Sequence, residues 1–293
     1  MSRIVCFGEI LWDVFPDQKK IGGAPLNVAI RASQFGNHVS IISAVGKDDS
    51  GAKILNFLKN HAVNTEAIQT SDSYKTGEVQ VSLNEKGSAT YTIAYPSAWD
   101  NIEITETSET LVKASDAFIF GSLATRDAVS KQTLFKLLDH AKFKVLDLNL
   151  RPPHYNTETL LKLMERADFI KLNDEELYEV SEFMGSKFNS LEQNLNFIAD
   201  KTSTKQLCVT KGPFGAVLLF ENKLYYNSGY KVVVADTVGA GDSFLGTLIS
   251  KLVQNESPQK ALDIACAVGA LVAKSEGANP ELSAQTIQNF MHP

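Results

Sequence analysis

The sequence predicts an α/β fold built on a mostly parallel sheet covered by helices on both faces. Three observations carry this. Short apolar runs ending in small or polar residues recur along the chain: "RIVCFG", "HVSIISAVG", "DAFIFGS", "FKVLDLN", "ADFIKLN" and "QLCVTKG". Segments with helical apolar spacing follow most of them, among them "APLNVAIRASQFG" and "DSGAKILNFLKNHA". The apolar runs are continuous rather than alternating, as strands buried on both faces require. Strand–helix alternation of this kind builds βαβ units with right-handed crossovers.

One segment departs from the pattern. In "GEVQVSLNEKGSATYTIAYP" apolar residues fall at Val79, Val81 and Leu83, then at Ala89, Tyr91, Ile93 and Tyr95. This period of two predicts a hairpin with one covered face, with "NEKG" as its turn. "ILWDVFP" is placed to pair with it. The expectation is one domain over 1–293, with a small β lid formed by roughly 10–22 and 76–96. A surface hairpin without function is the alternative. The later "GAVLLFENKLYYNS" is expected to extend an edge of the main sheet.

The 293 residues are 44% hydrophobic and 21% charged, with a net charge of −6. This is globular composition with ample length for a large core. No basic block marks a nucleic-acid or anionic-membrane partner. No apolar run approaches the roughly 18 residues of a membrane span, and "MSRIVCFGEILWD" has no signal-peptide pattern. The three cysteines, Cys6, Cys208 and Cys266, lie far apart in apolar runs. They read as buried free thiols of a cytoplasmic protein. The five histidines form no metal-binding pair.

The chemistry concentrates in "VADTVGAGDSFLGTL". Phe244, Leu248 and Leu252 share a helical face, which puts Ala240 and Gly241 at a helix N-terminus. Free amides there attract an anion, and small residues let it approach. A carboxylate beside a phosphate cradle is repulsive unless it accepts a proton. Asp242 then serves as general base for a hydroxyl attacking phosphorus, and the Gly239, Ala240 and Gly241 amides stabilise the transferring group. Read alone, the motif also fits an aspartate capping a helix, with the glycines forming an ordinary loop. No Walker loop or complete dinucleotide fingerprint is present.

The segment Asp236 to Asp242 reads D-T-V-G-A-G-D, and here the chain resembles the ribokinase-like sugar kinases of the PfkB family. The family's Gly-Gly and Asn-x-Ala signature appears as "GGAPLNVA", Gly22 to Ala29. "VGKDDSG", "KLNDEE" and "VTKGPFGAV" follow in register, so the resemblance spans nearly the whole chain. It implies a ribokinase-like three-layer fold and an ATP-dependent sugar kinase. It also implies Asp242 as base, with Gly239 to Gly241 as the anion hole. Sugar contacts are implied for Asp13, Gly22, Gly23 and Asn27. Asn173 and Glu176 match positions that organise Mg²⁺, with Glu176 acting through water. Thr210, Lys211, Gly212 and Gly215 match the turn beside the nucleotide, and Lys211 meets either a phosphate or solvent. "GANPE", with Asn279, matches the segment closing the adenine region. With Asp236 it is also where a monovalent cation such as K⁺ would be held.

"LDLNLRPPHY", carrying Asp147, Asn149 and Arg151, resembles fructokinase-like members, as do "GEILWDVFP" and "AYPSAW". Arg151 contacts substrate or phosphate, or braces its loop. Trp12 stacks on sugar or packs under the lid. The resemblance therefore implies fructose as substrate and fructose 6-phosphate as product. Another sugar or nucleoside (ribose, 2-keto-3-deoxygluconate) is the near alternative, and a catalytically silent sugar-binding regulator is the far one. Tyr91 and Tyr95 on the lid would serve either a homodimer contact or sugar coverage.

Overall fold

The computed structural model of the chain describes residues 1–83 and 89–292. Its strands are β1 (Arg3–Phe7), β2 (Leu11–Val14), β3 (Lys19–Gly22), β4 (His38–Gly46), β5 (Val63–Asn64), β6 (Ile68–Ser71), β7 (Gly77–Leu83) and β8 (Ala89–Ile93). They continue as β9 (Ala117–Gly121), β10 (Lys144–Asp147), β11 (Phe169–Asn173), β12 (Gln206–Thr210), β13 (Ala216–Phe220) and β14 (Lys223–Asn227). The helices are α1 (Ala24–Gln34), α2 (Asp49–Asn60), α3 (Glu106–Ala114), α4 (Ala128–Leu138), α5 (Thr157–Arg166), α6 (Asp174–Phe183), α7 (Leu191–Thr202), α8 (Ala240–Val253), α9 (Pro258–Lys274) and α10 (Ala284–Met291).

The main sheet runs β14-β13-β12-β11-β10-β9-β1-β4-β5, with β6 also on β4. It is parallel from β12 to β5, and the β12–β13 and β13–β14 pairs are antiparallel. The late hairpin thus ends the sheet, as expected. Each central strand is buried on both sides. In β1, Val5 and Phe7 enter the core under α3 to α7, while Ile4 and Cys6 enter the core under α1, α2, α8 and α9. This is the physical reason these strands read as continuous apolar runs. All three cysteines are buried free thiols.

Chain order reverses at β1. The chain first goes out to β4 and later returns to β9 on the other side. The crevice at the carboxyl ends of such a pair is where open α/β sheets bind ligands. Into it project the residues after β1, which lead at once into a second sheet of order β3-β2-β7-β8. "ILWDVFP" supplies β2, which pairs parallel with β7, Asp13 opposite Val79. Val79 and Val81 are buried and Gln80 is exposed, the predicted alternation. The expected turn at 84–87 and the side chain of Tyr91 lie outside the described residues. Trp12 packs rather than stands free: its Nε1 donates to Ser50 O at 3.2 Å and its ring joins the core beneath α2.

Candidate active site

Two helices open onto the crevice without side-chain caps, α1 from Gly23 and α8 from Gly239. Gly239 has φ 75°, and a Cβ there would collide with Ala278. Only glycine meets both demands. At the start of α8 the Ala240 amide donates to Thr237 O and the Ser243 amide to Gly239 O. The amides of Gly239, Gly241 and Asp242 have no acceptor among the described residues. The open donors are therefore those of Gly239, Gly241 and Asp242, rather than the run Gly239 to Gly241.

Asp242 is half-buried in the first turn of α8. Asn27 Nδ2 donates to its Oδ2 at 2.8 Å, tying α8 to α1. Burial and the Asp147 carboxylate push the Asp242 pKa up to about 6, against the Asn27 hydrogen bond and the charges of Lys171 and Arg151. A carboxylate in this range is ionised near neutrality and still basic enough to take a proton.

Asp13 lies on β2, opposite Lys20 on β3. Burial raises its pKa to about 6, and Arg151 and Lys20 oppose the rise. A Cβ on Gly22 would strike Asp13 Oδ2, and one on Gly23, at φ 111°, would strike the carbonyl of Glu9. Gly22 thus leaves room for the Asp13 carboxylate on the neighbouring strand, and Gly23 for the backbone at Glu9. Arg151 is exposed and donates to the carbonyl of Leu150. Its charge nevertheless reaches Glu9, Asp13 and Asp242, so its loop flanks the same crevice. Asn149 there holds a left-handed φ of 40°.

On the other side of α8 lies a cavity of about 750 Å³. Asn173, Thr210, Gly212, Gly215 and Gly241 line it, together with apolar residues such as Phe214, Tyr230 and Ala270. Lys211 and Glu176 do not line it. Glu176 is buried, and both its oxygens accept backbone amides, of Leu150 and Asn173, at 2.8 Å. With Asn173 Oδ1 accepting the Glu176 amide it forms a capping box on α6. Asn279 also points away from the cavity, its Nδ2 donating to Asn27 Oδ1 at 2.8 Å. Asp236 Oδ1 accepts the Val238 amide, and its Oδ2 meets Lys20 Nζ at 3.5 Å.

Three more charged residues complete the site: Asp147, from the motif "LDLNLRPPHY", and Lys171 and Glu9, which were not singled out. Lys171 and Asp147 form a buried ion pair at 2.9 Å, and the second Asp147 oxygen has no partner. Burial alone would lower the Lys171 pKa, but the carboxylates of Asp147, Glu176 and Asp242 hold it raised. Its ammonium sits beside Gly241, where an added Cβ would lie 3.6 Å away. Glu9, at 4% exposure, has an unpartnered Oε2. Burial raises its pKa to about 7. A lysine inside the apolar run "DFIKLN" and an acid directly after "CFG" were the available signals. A charge inside a buried strand needs a partner or a purpose.

The pfkB family carbohydrate kinase pattern matches residues 1–285. The chain is 30% identical over 308 residues to the probable fructokinase-6, chloroplastic, of Arabidopsis thaliana, covering 95% of this chain and 79% of that one. It superposes with a TM-score of 0.86 on a fructokinase double mutant from Vibrio cholerae O395 bound to fructose, ADP and potassium ion. That structure is 24% identical, with 100% and 99% of the two chains covered. A fructokinase from Xylella fastidiosa with bound ATP gives a TM-score of 0.87 at 22% identity, over 99% and 98% of the two chains. The fold is thus the ribokinase-like one that the sequence motifs imply, and the chain belongs to the pfkB family of carbohydrate kinases.

Proposed function

We propose that the chain is an ATP-dependent fructokinase, transferring the γ-phosphoryl group of ATP to O6 of D-fructose. One observation carries the reading. Asp242 stands at an open helix end, next to Gly241 on the wall of the large cavity, held by Asn27 and with Oδ1 free of protein partners among the described residues. The relatives' names direct it to fructose. Sugar would lie against Asp13, Gly22, Gly23 and Asn27, with Asn149 and Arg151 at its flank. A carboxylate accepts hydrogen bonds from two neighbouring hydroxyls, which suits Asp13. ATP would occupy the cavity, its phosphates toward Gly239, Gly241 and Asn173. As the sugar oxygen forms its bond to the γ-phosphorus, its proton passes to Asp242. The bond from that phosphorus to the bridging oxygen breaks, and ADP leaves with the electron pair. The free amides of Gly239, Gly241 and Asp242, with the Lys171 ammonium beside them, face the charge that develops.

Magnesium fits this site through the unpartnered oxygen of Asp147, which would meet the ion's waters. Glu176, with both oxygens on backbone amides, would act on that hydration shell by its charge alone. When bound, it neutralises phosphate charge. A monovalent cation near Asp236 would share that carboxylate with Lys20 and take backbone carbonyls for the rest.

We read the chain as one domain over 1–293. The small sheet is its lid, closing on sugar to exclude water as a competing acceptor. Tyr95, 62% exposed at the lid's base, supports a homodimer contact on the outer side. The free thiols suit a cytoplasmic setting, and no helix among the described residues is long and apolar enough to cross a membrane.

The test is ADP release with fructose, ribose, adenosine and 2-keto-3-deoxygluconate. We expect the highest kcat/KM with fructose. A higher value for another acceptor would overturn fructose, and turnover with none would overturn the kinase.

A further inference from the structure

The hydrogen bond that holds Asp242 does not end at Asn27. Asn279 Nδ2 donates to Asn27 Oδ1 at 2.8 Å, and Asn27 Nδ2 donates to Asp242 Oδ2 at 2.8 Å. We infer that Asn279 is a positioning residue for the proton-accepting carboxylate, acting through Asn27. The inference rests on the reading of Asp242 as base.

Charge fixes the direction of this relay. An ionised carboxylate only accepts, so Asn27 must turn its NH₂ to Asp242. Its carbonyl oxygen then faces Asn279, which must present its own NH₂. Both amide dipoles point their positive ends toward the carboxylate, and aligned hydrogen bonds strengthen one another. The arrangement has a cost: Asn279 Oδ1 is buried without a partner. The relay also divides the labour within Asp242. Oδ2 is held, and Oδ1 is left to meet the sugar hydroxyl.

The segment carrying Asn279 is anchored well enough to do this. The Ala278 carbonyl accepts from Ser243 Oγ at 3.5 Å, on the same helix as Asp242. The Pro280 carbonyl accepts from Arg31 Nη2 at 3.1 Å, on the same helix as Asn27. Arg31 is almost wholly buried and also donates to Ser243 Oγ at 3.2 Å. Ala278 packs against Gly239 at the start of the open helix end. One short segment therefore braces the anion site and orients the base. The other charges facing Asp242 are Glu9 after β1, Asp147 on β10, Lys171 on β11 and Arg151 after β10. None of them touches Asn279 by a hydrogen bond.

The test uses protein labelled with ¹³C at the aspartate carboxyls, titrated by NMR without ligands. The Asp242 signal is assigned by its loss in Asp242→Asn. Asn279→Ala removes the outer donor, and the Asp242 titration should move up in pH. Asn279→Asp reverses the relay, because an acceptor at 279 draws the Asn27 NH₂ away. It should move the titration further, by about one pH unit, with kcat at pH 7 lower by about twofold because roughly half of Asp242 is then protonated. KM for both substrates should hold within about threefold of wild type. The decisive arm is a cycle with Asn27→Ala, in which Asn279→Ala should shift nothing more. A wild-type titration in Asn279→Ala would overturn the relay, and so would an undiminished shift in the Asn27→Ala background. If Asn279→Asp does not fold, the Ala cycle still decides. Near-normal turnover of Asp242→Asn would instead sink the catalytic reading, while the titrations would still report on the relay.

Discussion

Two helix starts face the large cavity, and they are built oppositely. The start of α6 is closed: Asn173 and Glu176 satisfy each other's amides. The start of α8 is open, with glycine at the cap position and amides that have no acceptor. Asp48, Thr105, Asp127, Asn156, Ser190 and Ser283 cap other helices of the chain in the ordinary way. A capped end stabilises its own helix, whereas an open end holds its donors for a ligand. The start of α1 is intermediate: Gly23 supplies no side-chain cap, but the Glu9 carboxylate meets the Ala24 amide. The difference predicts that substitutions at the open end of α8 damage catalysis, whereas at the closed end of α6 a cost in stability can be separated from an effect on ATP.

The largest expected effect tests the open end of α8. Asp242→Asn should lower kcat by ~10²–10⁴-fold, the range for loss of a general base, with ATP binding retained. In wild type, kcat/KM should fall below pH about 6 as Asp242 takes up a proton in place of the substrate's. A flat profile between pH 5 and 8 would remove Asp242 from the proton transfer.

Much of this contrast was legible in the sequence, and the missing part has a physical reason. The strands were readable because burial on both faces makes them continuous apolar runs, and the small sheet because one-sided burial makes it alternate. Glycines before Asp242 announced an open helix end. The capping box of Asn173 and Glu176 has a local signal in its Asn-x-x-Glu spacing; what the spacing does not carry is the Leu150 amide, from the loop after β10, that takes the second Glu176 oxygen. The bonds Asn279–Asn27–Asp242 span separations of 252 and 215 residues. Local spacing cannot encode such pairings; they appear only once α1, α8 and the segment after α9 are packed.

An intermediate effect, on stability, is expected at the start of α1. Glu9 has its pKa raised to about 7, first by burial. A raised acid pKa means that folding disfavours the ionised form. The penalty is absent below the unfolded pKa near 4.5 and complete above pH about 7. Glu9→Gln keeps the shape and removes the charge. Its stability against urea should match wild type near pH 4 and exceed it at pH 8, by at most about 3 kcal/mol. Equal stabilisation at both pH values would show that Glu9 ionises freely in the folded protein.

The smallest effect sharpens the closed end. Asn173 does two separable things: its Oδ1 caps α6, and the residue lines the cavity. Asn173→Asp keeps a strong cap, since aspartate accepts the Glu176 amide as well as asparagine does. Its stability should therefore hold, yet it sets a negative charge toward the ATP phosphates, so KM for ATP should rise. Asn173→Ala removes the cap and leaves the buried Glu176 amide without an acceptor. The cost should be about 1 kcal/mol, read as a lower denaturation midpoint at unchanged slope. Its effect on ATP should be the weaker of the two, because it adds no charge. If Asn173→Ala instead abolished turnover at full stability, the capping box would be part of the ligand site. The distinction between closed and open ends would then fail at α6.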